Sequence, residues 1–319
     1  MGSSPTISTR VPIVDFTKED VKPGTDAWLS AAKQLCIALE EFGCFVALYD
    51  KLPQELDDAI FRASDELFDL PVEVKSKNIN DKPYHGYVGQ IPIIPLHEGL
   101  GIDYVTNREE VRKFTELMWS DGNDRFCETV HSYSTIVAEL DHMVVRMIFE
   151  NYGVEKHYDF HLASTSYLLR FLKYRAPSTT NQGDNAIPRH TDKTFLSILH
   201  QNNVNGLEVK TKEGEWIGFN LTPSSFVVMA GDASMGWSND RIRSCDHRVS
   251  MKGTITNTRY TLGLFSFLSG IVKVPDELVD EDHPLKYKPF NNVELIHFYA
   301  SAEGKKHEYT VKAYCGIEA

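Results

Sequence analysis

Apolar residues recur every three or four positions over much of the first half of the chain, a spacing that predicts amphipathic helices. One helix carries its apolar residues from Trp28 to Phe42 and is expected to end at Gly43. A second is expected to begin at Pro53 and to stop at Pro71. A third, longer helix has one apolar stripe made of Val130, Tyr133, Val137, Leu140, Val144 and Met147. Such a stripe predicts packing against a sheet.

From Ser166 onward, short runs of β-branched and aromatic residues alternate with turn residues and predict strands. The predicted strands of this part are 167–174, 194–200, 207–210, 216–219, 225–230, 248–251 and 260–267, and two earlier ones are 11–16 and 44–49. Many short antiparallel strands folding into two sheets make a jelly roll. We therefore predict a mainly β protein with helical additions, in which an α-helical amino-terminal region packs on a double-stranded β-helix, or jelly-roll, core.

Three parts are expected along the chain. Residues 1–160 form an α/β region whose helices support the barrel, 161–270 form the jelly-roll catalytic core, and 271–319 pack on that core. With no internal repeat or low-complexity linker between them, the three parts are expected to form one structural unit. The segment 82–101 is rich in Pro, Gly, Tyr and Ile without a period, so it is either a plain surface loop or a cover over the active site.

Composition narrows the class of protein. The chain has 319 residues, 42% of them hydrophobic and 24% charged, as is typical of soluble globular proteins. A net charge of −12, without a basic stripe interleaved with aromatics, argues against a nucleic-acid partner. No apolar run approaches the roughly 18 residues that span a bilayer, and the amino terminus lacks a secretion signal. We expect a cytoplasmic monomer that acts on a small molecule, without a membrane or nucleic-acid partner.

The most informative residues are His190 and Asp192, separated by one position, and the later His247. Two histidines and one carboxylate offer three ligands to one side of a metal ion and leave the other positions open, as in non-haem Fe(II) oxygenases. A second His-x-Asp pair, His157 and Asp159, follows a predicted helix end and leads into no strand, so it is expected at the surface. His190 precedes a strand-like run, which predicts that it and Asp192 share one side of a pleated strand.

Downstream, Arg259, Thr261, Gly263 and Phe265 alternate on one face of a predicted strand. The guanidinium fork and the threonine hydroxyl offer hydrogen bonds to the carboxylate of a bound organic acid. A zinc hydrolase also uses two histidines and a carboxylate, but it has no need of this arginine–hydroxyl pair. A metal-binding jelly roll without enzymatic activity is a further alternative.

These residues belong to a wider resemblance. From VPIVDF at 11–16 to DHPLKY at 282–287, the chain resembles a plant 2-oxoglutarate- and Fe(II)-dependent dioxygenase. The segments 190–208 (HTDKTFLSILHQNNVNGLE) and 234–249 (SMGWSNDRIRSCDHRV) are similar to a specialised-metabolism subgroup. That subgroup includes enzymes that make alkenyl and hydroxyalkyl glucosinolates and others that hydroxylate steroidal alkaloids.

The resemblance implies roles for individual residues. His190, Asp192 and His247 match the iron ligands of the family, and Arg259 with Thr261 matches the pair that binds the far carboxylate of 2-oxoglutarate. The family usually has serine where Thr261 stands.

Further positions match residues around the co-substrate and the substrate. Tyr174 matches a tyrosine that orients the co-substrate, although the asparagine usual two places earlier is Leu172 here. Phe265 matches an aromatic residue that packs against substrate or within the core. In the segment 82–101, Tyr84, Tyr87 and Ile94 are candidate substrate contacts.

The implied reaction uses Fe(II), 2-oxoglutarate and O2, is supported by ascorbate, and releases succinate and CO2. We expect hydroxylation of a small plant specialised metabolite that is alkaloid-, glucosinolate- or terpenoid-like. Halogenating relatives have a small residue in place of the iron-bound carboxylate, whereas Asp192 is present here. Demethylation, desaturation, ring closure, oxidation of a hormone such as an auxin or gibberellin, and oxidation without 2-oxoglutarate stay open as alternatives.

Overall fold

Two β-sheets form the framework of the protein in the computed structural model, which describes residues 11–177, 185–222, 224–251 and 257–317. The strands of these ranges are β1 Ile13–Asp15, β2 Cys44–Leu48, β3 His97–Asp103, β4 Thr165–Tyr174, β5 Asn185–His190, β6 Leu196–Gln201, β7 Leu207–Lys210, β8 Trp216–Gly218, β9 Ser225–Ala230, β10 His247–Ser250, β11 Arg259–Leu268, β12 Ile271–Val272 and β13 Phe290–Asn291. The larger sheet has the order β1-β2-β9-β6-β11-β4-β3 and the smaller one the order β5-β10-β7-β8, while β12 pairs with β13. Apart from the parallel pair β1–β2, the strand pairs of both sheets are antiparallel, as predicted for a jelly roll.

Helices surround the larger sheet. Within the described ranges they are α1 Asp26–Glu41, α2 Gln54–Phe68, α3 Val72–Lys75, α4 Arg108–Met118, α5 Asp124–Asn151, α6 Tyr158–Ser164, α7 Asp232–Trp237, α8 Asn292–Ala300 and α9 Thr310–Cys315, with 3-10 turns at Glu155–His157, Asp276–Leu278 and Gly304–Lys306. None of these helices is both long enough and apolar enough to cross a lipid bilayer.

Local chemistry sets the ends of the first helix. The Thr25 hydroxyl accepts a hydrogen bond from the Trp28 backbone N–H (3.1 Å) and caps the start of α1. At the other end Gly43 has a φ of +74°, which favours glycine. A Cβ at Gly43 would lie 2.7 Å from the carbonyl oxygen of Arg243, so this position also requires a residue without a side chain.

The two faces of the larger sheet have different environments. On its outer face, Leu262 and Leu264 of β11 and Phe171 of β4 belong to one buried cluster with the predicted apolar stripe of α5. On its inner face, Leu199 of β6 packs with Val209 of the smaller sheet. The inner face therefore faces the smaller sheet, and the polar residues of the candidate site occur in the space between the two sheets.

Four of the described strands were not predicted: β3 and β5 in the two sheets, and the short pair β12 and β13. β5 contains Pro188, and proline lacks the N–H that an interior strand needs. The proline is tolerated because β5 is an edge strand of the smaller sheet. β3 begins inside the segment 82–101, which was predicted to be irregular. Its glycines, Gly99 and Gly101, remove the alternation of apolar side chains by which strands are recognised.

Candidate active site

His190, Asp192 and His247 lie together between the two sheets. Their ligand atoms are all within 4.8 Å of one another. The Oδ1 atom of Asp192 is 3.7 Å from Nε2 of His190 and 3.9 Å from Nε2 of His247. The antiparallel pairing of β5 with β10 sets His190 opposite His247, so the two rings lie 4.2 Å apart between centroids. Two imidazoles and one carboxylate in this arrangement fit Fe(II), with coordination positions left for other ligands.

The prediction that His190 and Asp192 share one strand is wrong. His190 is the last residue of β5, and Asp192 lies in the loop that precedes β6. Two hydrogen bonds fix the loop instead. The Ser197 hydroxyl donates to Oδ2 of Asp192 (2.6 Å), and the backbone N–H of Asp232 donates to the Asp192 carbonyl oxygen (2.8 Å). The carboxylate is therefore oriented by hydrogen bonds rather than by the pleat of a strand.

Both histidines present Nε2 toward the cluster. Nδ1 of His190 is 2.9 Å from the carbonyl oxygen of Pro188, and Nδ1 of His247 is 3.0 Å from that of Cys245. Because a carbonyl oxygen only accepts, each Nδ1 carries the proton and each Nε2 keeps a lone pair for a metal ion. Burial and the neighbouring His247 lower the pKa of His190 to about 4. The His190 ring is therefore neutral at pH 7, which is the form that binds metals.

Substitution of Ser197 by alanine is expected to weaken Fe(II) binding by about 10- to 100-fold, because hydrogen bonds to metal-binding carboxylates orient them. Anaerobic titration of Fe(II) against a competing chelator measures the change. Ser134→Ala, which removes a buried hydroxyl from α5, is the matched control and should bind Fe(II) like the wild type. Equal affinities of Ser197→Ala and the wild type would contradict the assigned role of Ser197.

A buried ion pair holds the same loop. Nζ of Lys193 is 2.8 Å from Oδ2 of Asp232, and both residues are buried. Lys193 also donates to the backbone oxygen and the hydroxyl of Thr191 (2.7 and 2.8 Å), while its carbonyl oxygen accepts from Asn292 Nδ2 (2.6 Å). These contacts tie the loop that carries Asp192 to α7 and α8.

Replacing Lys193 with methionine is expected to lower the free energy of unfolding by about 3–5 kcal/mol, because the carboxylate of Asp232 loses its buried counter-ion. Urea unfolding measures this change. The double variant Lys193→Met/Asp232→Asn removes both charges and should regain much of the lost stability. A single variant as stable as the wild type would show that the pair does not stabilise the fold.

Arg259 and Thr261 form a second polar group on the inner face. Arg259 is 1% exposed, and its Nη2 donates to Oε1 of Gln201 (2.7 Å). In the part of the chain that the structure describes, Nε and Nη1 of Arg259 and the hydroxyl of Thr261 have no hydrogen-bond partner. Buried polar groups are rarely left unpaired. Three of them side by side fit a ligand carboxylate, which accepts hydrogen bonds from both an arginine and a hydroxyl.

An aromatic ring covers this arginine. The predicted residue Tyr174 lies opposite it in the pairing of β4 with β11, with its ring centroid 5.0 Å from the guanidinium carbon. His97 of β3 follows in the same row, and its ring centroid is 5.0 Å from that of Tyr174. His97 was not predicted, because β3 was not recognised as a strand.

The remaining predicted substrate residues are more dispersed. Phe265 lies on the inner face, and its ring covers Gly263, where an added Cβ would come within 2.5 Å of Cε2. Tyr84 is 48% exposed and contacts Tyr299 of α8, with ring centroids 5.8 Å apart. The Tyr87 hydroxyl donates to Oε1 of Glu98 (2.9 Å).

Ile94, the last of these candidates, is half-buried in the turn before β3. Its backbone N–H donates to the carbonyl oxygen of Ile91 (3.0 Å), and its carbonyl oxygen accepts from the N–H of His97 (3.0 Å). This turn brings the chain into β3, and hence His97 onto the inner face.

Comparisons with known proteins agree with this geometry. A family model described as the 2OG-Fe(II) oxygenase superfamily matches residues 145–267, and one described as non-haem dioxygenase in morphine synthesis N-terminal matches residues 11–93. The chain is 40% identical to the probable 2-oxoglutarate-dependent dioxygenase AOP1.2 of Arabidopsis thaliana, over 98% of each chain.

Solved structures have the same fold. The dioxygenase for auxin oxidation of rice is 26% identical with a TM-score of 0.79, covering 96% of this chain and 100% of that one. The Arabidopsis thaliana dioxygenase for auxin oxidation 1, in its complex with 2-oxoglutarate, is 26% identical with a TM-score of 0.76, covering 86% and 99%. The predicted jelly roll with an added helical region is confirmed.

Proposed function

The chain belongs to the 2-oxoglutarate- and Fe(II)-dependent dioxygenases, and on that premise we propose that it hydroxylates a small plant specialised metabolite. The observation that carries the proposal is that two groups of polar residues, one from each sheet, face the space between the two sheets. One is the cluster of His190, Asp192 and His247, and the other is the set of unpartnered donors of Arg259 and Thr261. A hydrolase would need only the first group, whereas an oxygenase that consumes 2-oxoglutarate needs both.

Each residue has a defined part in this proposal. His190, Asp192 and His247 would hold Fe(II), and Ser197 keeps the carboxylate turned toward it. When bound, iron with 2-oxoglutarate and O2 supplies the oxidising power that attacks a substrate C–H bond and releases succinate and CO2.

The pocket for the co-substrate has its own parts. Arg259 and Thr261 would bind the far carboxylate of 2-oxoglutarate, while Tyr174 covers the guanidinium and His97 packs against Tyr174. Arg259 is 1% exposed, and burial strengthens the electrostatic attraction of a charged pair.

The substrate class is the finer part of the proposal. The resemblance of the segments 190–208 and 234–249 to enzymes of specialised metabolism supports an alkaloid-, glucosinolate- or terpenoid-like substrate. Hormone oxidation is the second candidate, since the structural relatives from rice and Arabidopsis are named for auxin oxidation. Demethylation, desaturation and ring closure start from the same attack on a C–H bond and differ in what the substrate does next.

We also propose that the protein acts in the cytoplasm as a monomer and that ascorbate supports its activity. The parts 1–160, 161–270 and 271–319 would act as one structural unit. The shared larger sheet supports this, because β1 and β2 pair with its later strands.

The test is O2 consumption and succinate formation by purified protein with Fe(II), 2-oxoglutarate and ascorbate. The wild type is expected to make succinate slowly even without substrate, whereas His190→Ala and Arg259→Ala should not. His157→Ala is the matched control, because His157 belongs to the other His-x-Asp pair and is placed at the surface, near Glu277. A wild type that neither binds iron nor makes succinate would contradict the proposal and favour a hydrolase or a non-enzymatic metal-binding protein.

Candidate substrates are then tested by their stimulation of succinate formation. A specialised metabolite is expected to raise the rate above the slow background. Stimulation by an auxin or a gibberellin alone would favour the hormone alternative instead.

A further inference from the structure

A second buried arginine, Arg170, lies on the inner face at a different level from Arg259. In the pairing of β4 with its neighbours, Arg170 stands between Gly101 of β3 and Gly263 of β11. Arg259 is four residues from Gly263 along β11, which corresponds to about 13 Å at about 3.3 Å per residue. The backbone positions of the two arginines are therefore well separated on the same face, although Nη2 of Arg170 reaches to within 2.8 Å of the Cβ position of Gly99, which is level with Thr261.

Arg170 has no acidic partner among the described residues. It is 8% exposed, and Nη1 of its guanidinium donates a hydrogen bond to the carbonyl oxygen of Gly86 (3.3 Å). Burial lowers the pKa of Arg170 to about 10, so the group is still charged at pH 7. A buried charge without a counter-ion is unfavourable, and proteins retain such charges where a ligand neutralises them.

Two glycines, Gly101 and Gly263, flank Arg170 on the neighbouring strands. Other groups of the protein occupy the space that side chains at these two positions would fill. A Cβ at Gly101 would lie 2.0 Å from the carbonyl oxygen of His85, and one at Gly263 would lie 2.5 Å from the Phe265 ring. The segment that contains His85 therefore borders Arg170 on one side, and the Phe265 ring borders it on the other.

Two further nitrogens near Arg170 lack partners. Nε2 of His85 and Nδ1 of His97 are buried and, over the described ranges, make no hydrogen bond. Nη2 of Arg170 and Nε2 of His97 approach the same point above Gly99, since a Cβ there would lie 2.8 and 3.4 Å from them. Burial lowers the pKa of both histidines, that of His97 to about 3, so both rings are neutral at pH 7. The single N–H of His85 is on Nδ1 and donates to the carbonyl oxygen of Pro83 (3.0 Å), so Nε2 of His85 is an acceptor, whereas Nδ1 of His97 is free to donate.

We propose that Arg170, with His97, binds an acidic group of the organic substrate, either a carboxylate or a sulfate ester. The inference rests on the proposed function and narrows its substrate class to acids. Arg259 is not available for this part, because its free donors are assigned to 2-oxoglutarate. One guanidinium and the neutral N–H donor of His97 match the oxygens of a single anionic group.

The test measures binding without turnover. The wild type is loaded with Zn(II) in place of Fe(II) and saturated with 2-oxoglutarate, which fills the place beside Arg259. Calorimetric titration then compares matched probes: 3-phenylpropionate with 3-phenylpropan-1-ol, indole-3-acetate with indole-3-ethanol, and 2-phenylethyl sulfate with 2-phenylethanol. At least one acid is expected to bind about tenfold or more tightly than its alcohol. The carboxylate and sulfate pairs show which acidic group is preferred.

Variants assign the preference to Arg170. Arg170→Gln is expected to bind acid and alcohol within about twofold of each other, and Arg170→Lys should keep part of the preference because it keeps the charge. Arg175→Gln, which changes an arginine just beyond the end of β4, is the matched control and should keep all of it. Thermal unfolding of each variant shows whether it is folded. If Arg170→Gln does not fold, the preference of Arg170→Lys is compared with that of the wild type instead.

Two results would overturn the inference: a wild type that prefers none of the acids, or an Arg170→Gln variant that keeps the preference. Neither result depends on catalysis. Absence of succinate formation by the wild type with Fe(II), which contradicts the proposed function, is a separate observation.

Discussion

Replacing Arg259 with glutamine is expected to raise the Kd of 2-oxoglutarate by about 30-fold to several thousandfold. The substitution removes the charge that faces the far carboxylate and leaves that anion buried without a partner, at a cost of about 2–5 kcal/mol. The effect is large because Arg259 is 1% exposed and two of its nitrogens have no partner among the described residues. Calorimetric titration of metal-loaded protein with 2-oxoglutarate measures it.

Two controls separate the charge from other effects of substitution. Thr261→Ser keeps the hydroxyl and should bind 2-oxoglutarate with nearly unchanged affinity. Arg175→Gln removes an exposed arginine and should have no effect. If Arg259→Gln bound 2-oxoglutarate as tightly as the wild type, the carboxylate would have to be held elsewhere.

His247→Ala is expected to lose Fe(II) binding, with an affinity more than about 100-fold below that of the wild type. Changes in residues that only orient metal ligands already cost about 10- to 100-fold, and this substitution removes a ligand itself. Anaerobic titration with a competing chelator measures the affinity, and succinate formation should fall to background.

The control for this substitution is His283→Ala, which changes an exposed histidine paired with Asp280. Because His247 is buried, thermal unfolding should accompany the titration to show that the alanine variant is folded. Retention of wild-type iron affinity by a folded His247→Ala variant would remove His247 from the candidate ligands.

Much of the barrel could be predicted because its strands alternate cleanly. β7 and β9 begin and end where the sequence predicts them, and β11 differs by one residue at each end. In β11 the alternation also predicted which residues share a face: Arg259 and Thr261 both lie on the inner face of the larger sheet. Period-two patterns are informative when one face is apolar throughout.

The failures have physical causes at particular residues. β5 was not predicted because it contains Pro188. Proline is tolerated in an edge strand, and whether a strand lies at an edge is known only from the folded sheet. β3 was not predicted because Gly99 and Gly101 interrupt its apolar pattern, and His97 in the same strand was missed with it. Arg170 was not predicted to be a site residue, although it lies on the same face of β4 as Leu172 and Tyr174. An arginine on the inner side of an otherwise apolar strand is a signal that the sequence does contain.

The larger sheet is built from strands of both halves of the chain, and this limits which segments can be exchanged between this enzyme and its relatives. Its outer strands come from residues before 104, since β1 and β2 extend the edge of β9 and β3 covers the edge of β4. Consider a chimera in which only residues 145–267, the range matched by the oxygenase family model, came from a relative. Its larger sheet would pair strands that had diverged separately in two different proteins. It would also combine a foreign β4 with the resident His97. Crossover points that keep β2 and β3 with their partner strands β9 and β4 are therefore the ones that conserve both the sheet and the pocket.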